Sequence, residues 1–256
     1  MGGRVLAQPL ALAFTSVLML FVPEPGSMTL DRSGLVAAIM SAAAMLSFIA
    51  ALRLTSVANV GVIHGALPLL TLLFARMTIG ERISLSTAGL CGVAAIGTAV
   101  IFLGSASSGL RLAGDGLALL MTTLMALMTI AFRQSLTSSL LLVALSNGFA
   151  SLAGAILAPS LEVSVGQGVL LACFAFLQMT LGLLFYSIGS RGLSPGETAL
   201  ISLAEVPLSA LWVSLAFGEM PAGETIAGAG IILTAVLVYL ALPQHGRNLE
   251  DWSDAD

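Results

Sequence analysis

Glu205 is the residue whose chemistry most demands an explanation, because it stands near the middle of an apolar stretch, Ser194–Glu219, SPGETALISLAEVPLSALWVSLAFGE. A segment of this length can cross a bilayer. Hydrocarbon holds no water to solvate an ionised carboxylate, so such a group belongs in a bundle interior or on a substrate path. Thr198, Ser202, Glu205, Ser209 and Trp212 follow one another at steps of four, three, four and three. On a helix that spacing gathers nearly all the polarity of the segment onto one stripe. Pro207 has no N–H to offer the carbonyl of Leu203, and its ring crowds that turn, so a bend is expected beside the acid. A carboxylate in this setting can bind a cation or carry a proton. Its duller role is to bond backbone freed at the bend.

His64 poses the same choice. It lies four residues before Pro68, so its carbonyl is the one that proline leaves unbonded. Its imidazole is the side chain that titrates near neutral pH without help from its surroundings, although a lone histidine is commonly just a satisfied interior residue. Gln178, Gly182, Tyr186 and Gly189 share a helical face, which fits either a cavity wall or interhelical hydrogen bonds; the wall is the preferred reading for Gln178 and Tyr186. Asn147, Ser151, Thr122, Thr129 and Arg133 read as interhelical bonding and helix-end polarity. Gly89, Gly92, Gly228 and Gly230 read as sites of close helix packing. Glu81 and Glu219 read as structural acids placed ahead of a helix N-terminus, where the dipole favours negative charge.

Several chemistries are excluded. Gly192-Leu193-Ser194-Pro195-Gly196 matches the G-x-S-x-G nucleophile elbow, but that serine needs a strand-to-helix turn with Asp and His partners, and here it falls between two apolar runs. An enzyme is therefore not expected. Cys91 and Cys173 sit inside apolar runs with no second Cys or His at ligand spacing, so neither a disulfide nor a metal site nor any cofactor is suggested. All nine basic residues are arginines and they do not cluster, which argues against a nucleic-acid surface.

The elements that must position these residues are membrane helices. The chain is 58% hydrophobic and 9% charged, with a mean hydropathy of +1.06, whereas a soluble domain is about 25% charged. Nine apolar runs can be read: Val5–Val22, Gly34–Leu52, Val57–Ala75, Leu85–Leu103, Leu112–Ala131, Ser138–Ala158, Gly168–Gly189, Gly196–Phe217 and Gly223–Leu242. The first is taken as a retained helix and not a cleaved signal peptide, because no small-x-small cleavage pattern follows it. Short connections favour antiparallel neighbours in one bundle. Residues 244–256, with Glu250, Asp251, Asp254 and Asp256, read as a solvated, disordered acidic tail. A cytoplasmic C-terminus in the cell membrane puts Arg32, Arg76, Arg82, Arg133, Arg191 and Arg247 inside, and Arg4, Arg53 and Arg111 outside.

Sliding the chain along itself by one fixed offset lays Pro68 on Pro207, Gly89 on Gly228 and Thr55 on Ser194, and brings Gly80-Glu81 within one residue of Gly218-Glu219. Equivalent helices are five apart, so the two copies, residues 1–104 and 105–243, cross the membrane in opposite directions. Inverted repeats with Pro- or Gly-interrupted helices at corresponding positions mark the binding sites of many secondary transporters. In LPLLTLLFARMTIGERISLSTAGL and EVPLSALWVSLAFGEMPAGETIAGAG the chain resembles the EamA type of the drug/metabolite transporter superfamily. The resemblance implies ten helices in two inverted five-helix halves, cytoplasmic termini and a central cavity from which small metabolites are exported. Nine runs leave Leu112–Ala131 without a partner in the first copy, so the family's first helix is the missing one, and the expectation is that a further apolar segment is encoded upstream of Met1.

The sequence therefore predicts an all-α polytopic bundle of nine transmembrane helices. Alternating access would turn on a midplane cavity lined by Glu205, Ser202, Thr198, Trp212, His64, Gln178 and Tyr186, with kinks at Pro68 and Pro207. The lipid bilayer and a small organic solute, most simply an amine or amino acid, are the expected partners. A proton is the candidate coupling ion, and a homodimer stays open. The contrasting reading is a membrane protein that does not transport, either an intramembrane hydrolase using Ser194 or an assembly factor.

Overall fold

The computed structural model describes residues 3–21, 28–81, 83–103, 112–157, 165–218 and 222–242. Glu219, Arg82, Arg111, Arg247, the side chains of Arg4 and Ser209, and the acidic tail lie outside the described residues. Hydrocarbon leaves backbone N–H and C=O groups to satisfy one another, which selects helices, and among the described residues every regular element is helical. In chain order these are α1 (Gly3–Phe21), α2 (Arg32–Leu54), α3 (Val57–His64), α4 (Leu67–Ile79), α5 (Leu85–Leu103), α6 (Leu112–Gln134), α7 (Ser139–Leu157) and α8 (Val165–Phe174). A π-helical stretch (Ala175–Gly182) joins α8 to α9 (Leu183–Arg191); α10 (Pro195–Ser202), α11 (Glu205–Phe217) and α12 (Gly223–Ala241) complete the order. Seven spans among the described residues are long and apolar enough to cross a membrane, and Pro9–Phe21 and Leu85–Ile101 are shorter apolar helices. The protein is thus a polytopic helical membrane protein.

Three of the expected runs are not single α-helices. Residues 57–79 break at Gly65-Ala66 and residues 195–217 break at Leu203-Ala204, in each case just ahead of a proline. Pro68 and Pro207 cannot donate to the carbonyls four residues back. The chain tightens there instead: Ala66 N–H donates to Ile63 O at 3.1 Å, and Val206 N–H donates to Leu203 O at 3.1 Å, both three-residue steps. Both broken spans start at a serine cap. Ser56 accepts from Asn59 N–H, while Ser194 and Glu197 form a reciprocal capping box. Ser194 of the G-x-S-x-G match is therefore a helix cap. Both spans end at a glycine in the left-handed region, Gly80 (φ 65°) and Gly218 (φ 68°), where a Cβ would be strained.

The boundaries of these elements recur at a single offset along the chain: Val57 corresponds to Pro195, Leu67 to Glu205, Gly80 to Gly218 and Leu85 to Gly223. The prolines are one position out of step with this, Pro68 being the second residue of α4 and Pro207 the third of α11.

Packing sets the direction of each span. Thr55, at the end of α2, donates to Asp115 Oδ1 at 2.6 Å near the start of α6. At the other end of α2, Asp31 accepts from Ser135 Oγ at 2.8 Å just beyond α6, so α2 and α6 are antiparallel. The span α3–α4 begins beside Asp115, where Asn59 Nδ2 lies 3.2 Å from Oδ1, and ends at Glu81, 3.2 Å from Arg133. The span α10–α11 starts at that second end, with Ser194 and Glu197 bordering the same cavity as Glu81, and runs back. Helices α5 and α12 also cross antiparallel, with Gly97 against Gly228 and Ile232, and Gly228 against Ile101. Arg191 donates to the Thr137 carbonyl, so Arg133 and Arg191 share one end of the bundle with Asp31 and Glu81, whereas Arg53 lies in the last turn of α2 at the opposite end.

Two sequence expectations need correction. Glu81 is four residues short of α5; its carboxylate is spent on Arg133 and not on the α5 amides, because the left-handed turn at Gly80 carries the chain toward α6. Of the glycines expected at close crossings, only Gly228 is at one. A Cβ on Gly89, Gly92 or Gly230 would meet nothing within 4 Å among the described residues. Gly97 is the second residue of the close contact, and its place depends on a helix far away in sequence.

Candidate functional site

The two helix breaks bring together the two titratable residues singled out from the sequence. His64 ends α3, Glu205 opens α11, and His64 Nε2 lies 3.4 Å from Glu205 Oε1. The imidazole side chain is 14% exposed and the carboxylate side chain 61%. His64 Nδ1 is buried without a hydrogen-bond partner among the described residues. The pair therefore has one sheltered member and one open member. When His64 is protonated, the contact is an ion pair; when it is neutral, the imidazole can hydrogen-bond the carboxylate only if Nε2 carries the proton.

One turn before Glu205, Ser202 donates to Thr198 O at 2.7 Å and Thr198 to Ser194 O at 3.1 Å. These hydroxyls satisfy carbonyls of their own helix, a common use of Ser and Thr in apolar helices. Tyr186 on α9 reaches across, its hydroxyl 2.5 Å from Thr129 Oγ1 on α6, with Ser202 as a further hydrogen-bonding neighbour. Its ring stands edge-on to Phe132, centroids 6.4 Å apart. Thr129, read from the sequence as interhelical bonding, is thus the residue that anchors Tyr186 beside the site. Its spacing four residues before Arg133 gave no sign of this.

Gln178 and Trp212 do not join this group. Gln178 lies in the π-helical stretch and is exposed. It is eight residues from Tyr186, roughly 12 Å along an α-helix at 1.5 Å per residue, so sharing a face does not mean sharing a depth. Trp212 is 65% exposed, two turns beyond Glu205 on α11. The π-helical stretch is tied elsewhere: Asn147 Nδ2 donates to Met179 O at 3.4 Å and Thr180 Oγ1 to Ala11 O at 3.2 Å. A cavity of about 140 Å³ lies at the end of the bundle, lined by Leu72, Ala75, Glu81, Ser84, Ser194 and Glu197 among others, and not around Glu205.

At that end, groups outside the spans have displaced proton affinities. Asp31 caps α2 by accepting from Gly34 N–H at 2.7 Å. Burial pushes its carboxyl up, but hydrogen bonds from Leu136, Ser135, Gly34 and Thr137 outweigh this and bring it down to about 2. Burial pushes Glu81 up, with the Arg133 guanidinium and the Ser194 hydroxyl opposing and the charge of Glu197 adding.

No family model matches the chain, and no curated protein matches it. Solved structures do: 27 chains are similar. One of them, described only as a crystal structure of a protein, aligns over 92% of this chain and 96% of its own with a TM-score of 0.66 and 17% identity. At that identity the likeness shows the fold alone.

Proposed function

We propose that the chain is a secondary transporter of a small organic solute, built as an inverted repeat of nine spans and of the EamA type. The two copies would rock about the His64–Glu205 pair to face each side of the cell membrane in turn. One observation carries this reading: two broken helices with matching boundaries, running in opposite directions, meet at their breaks through an imidazole and a carboxylate 3.4 Å apart. Broken helices expose unpaired backbone and titratable groups where a transporter needs a site, and an acid at that depth is retained where the function uses it.

The carboxylate favours a solute with an ammonium group. His64 and Glu205 can also hold a proton between them, so proton exchange for the solute is the coupling proposed. Ser202, Thr198 and Tyr186 frame the pair. The arginine-bearing end, with Arg133 and Arg191, is assigned to the cytoplasm, the side proposed for the C-terminus as well.

The test is accumulation of radiolabelled amines and amino acids by protein reconstituted in vesicles under an imposed pH gradient. Glu205→Gln keeps the size of the side chain but removes charge and titration. It should fold and insert yet fail to accumulate solute against a gradient. Accumulation at the wild-type rate by this variant would make Glu205 a structural partner of the break and end the proposed coupling.

A further inference from the structure

The carboxylate of Glu81 divides its two oxygens between two surroundings. Oε1 meets Arg133 Nη1 at 3.2 Å, while Oε2 is buried with no well-formed hydrogen bond among the described residues, the Ser194 hydroxyl being the other polar neighbour of the carboxyl. It borders the cavity where the end of α4 and the start of α10 converge, and across that cavity stand Ser194 and Glu197. Both broken helices therefore terminate here, α4 running to it from His64 and α10 running from it toward Glu205. Leu72 and Ala75 close the cavity on the membrane side, and Ala75 is 1% exposed.

The charges facing Glu81 are Arg133 from the end of α6 and Glu197 from the first turn of α10. From α5 come the hydroxyl of Thr87 and, deeper, the thiol of Cys91, 4.0 Å from Gly196 O. Arg82 is outside the described residues. Among the described residues Arg133 is thus paired with Glu81 alone, while the Glu197 carboxylate, which accepts from Ser194 N–H, adds a second negative charge beside Glu81.

We infer that Glu81, held between Arg133 and Glu197, is a proton-taking latch that closes the arginine-bearing end of the path to His64 and Glu205. This rests on the transport reading, because only a protein that opens to two sides in turn needs such a closure. Closing the mouth buries Glu81 beside Glu197 and draws one proton from water onto its carboxylate; opening returns the carboxylate to water and releases that proton. The sign follows from linkage. Burial raises the proton affinity of Glu81 in the closed form, so the closed form binds the proton more tightly, is favoured by acid, and loosens as pH rises.

The experiment uses the full chain in vesicles with Cys91→Ala and Cys173→Ala, and Ala75→Cys as reporter. Its reactivity toward a membrane-impermeant maleimide is normalised at each pH to that of Thr78→Cys, an exposed position on the same helix. The normalised reactivity should rise severalfold with pH and should stay low and flat in Glu81→Gln, which mimics the protonated acid. Glu197→Gln removes a repulsion and should move the midpoint to lower pH. Arg133→Gln removes an attraction and should move it to higher pH, with Arg133→Lys restoring it. A purely structural ion pair predicts no such opposed shifts. An unchanged pH curve in Glu81→Gln, or midpoints that move the same way, overturns the latch. Vesicles that carry no solute while the reporter titrates as described overturn the transport reading, and with it the role of the latch in transport, and leave only the proton-dependent closure of the mouth.

Discussion

Gly228→Ala is the substitution for which the geometry gives the clearest sign. A Cβ at Gly228 would stand closer than 3.0 Å to both Gly97 O and Ile101 Cγ1, with Ile101 N at 3.0 Å. Ordinary contacts of this kind lie near 3.5 Å or beyond, so at least about 0.5 Å must be found, and two of the three obstacles are backbone that no rotamer change can move. The helices α5 and α12 must separate. Overpacking of this kind costs roughly 1–3 kcal/mol, and the upper end applies here. Against it stands the gain of about 1 kcal/mol from replacing glycine by alanine inside a helix. The net loss is about 1–2 kcal/mol, which at roughly 2–4 °C per kcal/mol for a chain of this size means about 2–8 °C in Tm. Gly230→Ala lies on the same helix with nothing within 4 Å of its Cβ among the described residues, so only the propensity gain applies and its Tm should hold or rise. The assay is thermal unfolding of purified variants in detergent, followed by tryptophan fluorescence. Equal Tm values for Gly228→Ala and Gly230→Ala would refute the close crossing. Gly97→Ala combined with Gly228→Ala should cost less than the two single losses together, because the separation of the helices is needed only once.

Further outcomes can be checked alongside. Asp31→Asn should lower stability by roughly 1.5–3 kcal/mol, the range for hydrogen bonds to a charged group, because the caps to Gly34 N–H and Leu136 N–H and the bonds from Ser135 and Thr137 lose their charge. The stability Asp31 supplies is present above the ordinary carboxylate value and lost as pH falls toward about 2, so acid unfolding monitored by circular dichroism should become flatter in Asp31→Asn over that window. Gln178→Ala and Trp212→Leu change exposed side chains away from the His64–Glu205 pair, and solute uptake by vesicles should be unchanged in both; a large loss at either would place that residue on the path. Glu205→Asp should retain part of the uptake that Glu205→Gln loses.

How much of this was legible follows from whether a feature is local. Proline spacing located both breaks, since a missing N–H acts within one turn. Which residues end the helices was not legible: α3 stops at His64 and α10 at Ser202, ahead of the prolines and not at them, because Ala66 and Val206 shift to three-residue bonds. The caps at Ser56 and Ser194 and the left-handed glycines were written in the sequence too, although the capping box was obscured by its likeness to a nucleophile motif. Glu81 with Arg133, Tyr186 with Thr129 and Gly97 with Gly228 each join helices that are distant along the chain. No periodicity within one helix reports on such pairs; they arise only when neighbouring spans are set side by side.

The exposure of Glu205 has the same origin. Helix α6 packs against α2 and against both parts of the first broken span, and 33% and 39% of the apolar stretches of those two spans are buried. The elements that correspond to α2 and α3–α4 at the common offset are the Gly168–Arg191 span and α10–α11, and among the described residues no helix stands against α11 and the π-helical stretch in the place that α6 holds in the first set. Only 11% and 25% of their apolar stretches are buried. Gln178, Trp212 and Glu205 are exposed because of what lies beside them, not because their own helices turn polar faces outward. A carboxylate so placed is costly at membrane depth unless a partner offsets its charge, and His64 is the partner at 3.4 Å. That pairing differs in kind from an enclosed ion pair. The imidazole is sheltered while the carboxylate remains 61% exposed, so the cationic solute proposed above would reach Glu205 without first displacing protein packing. In the proposed transporter, solute and proton would contend for this one carboxylate.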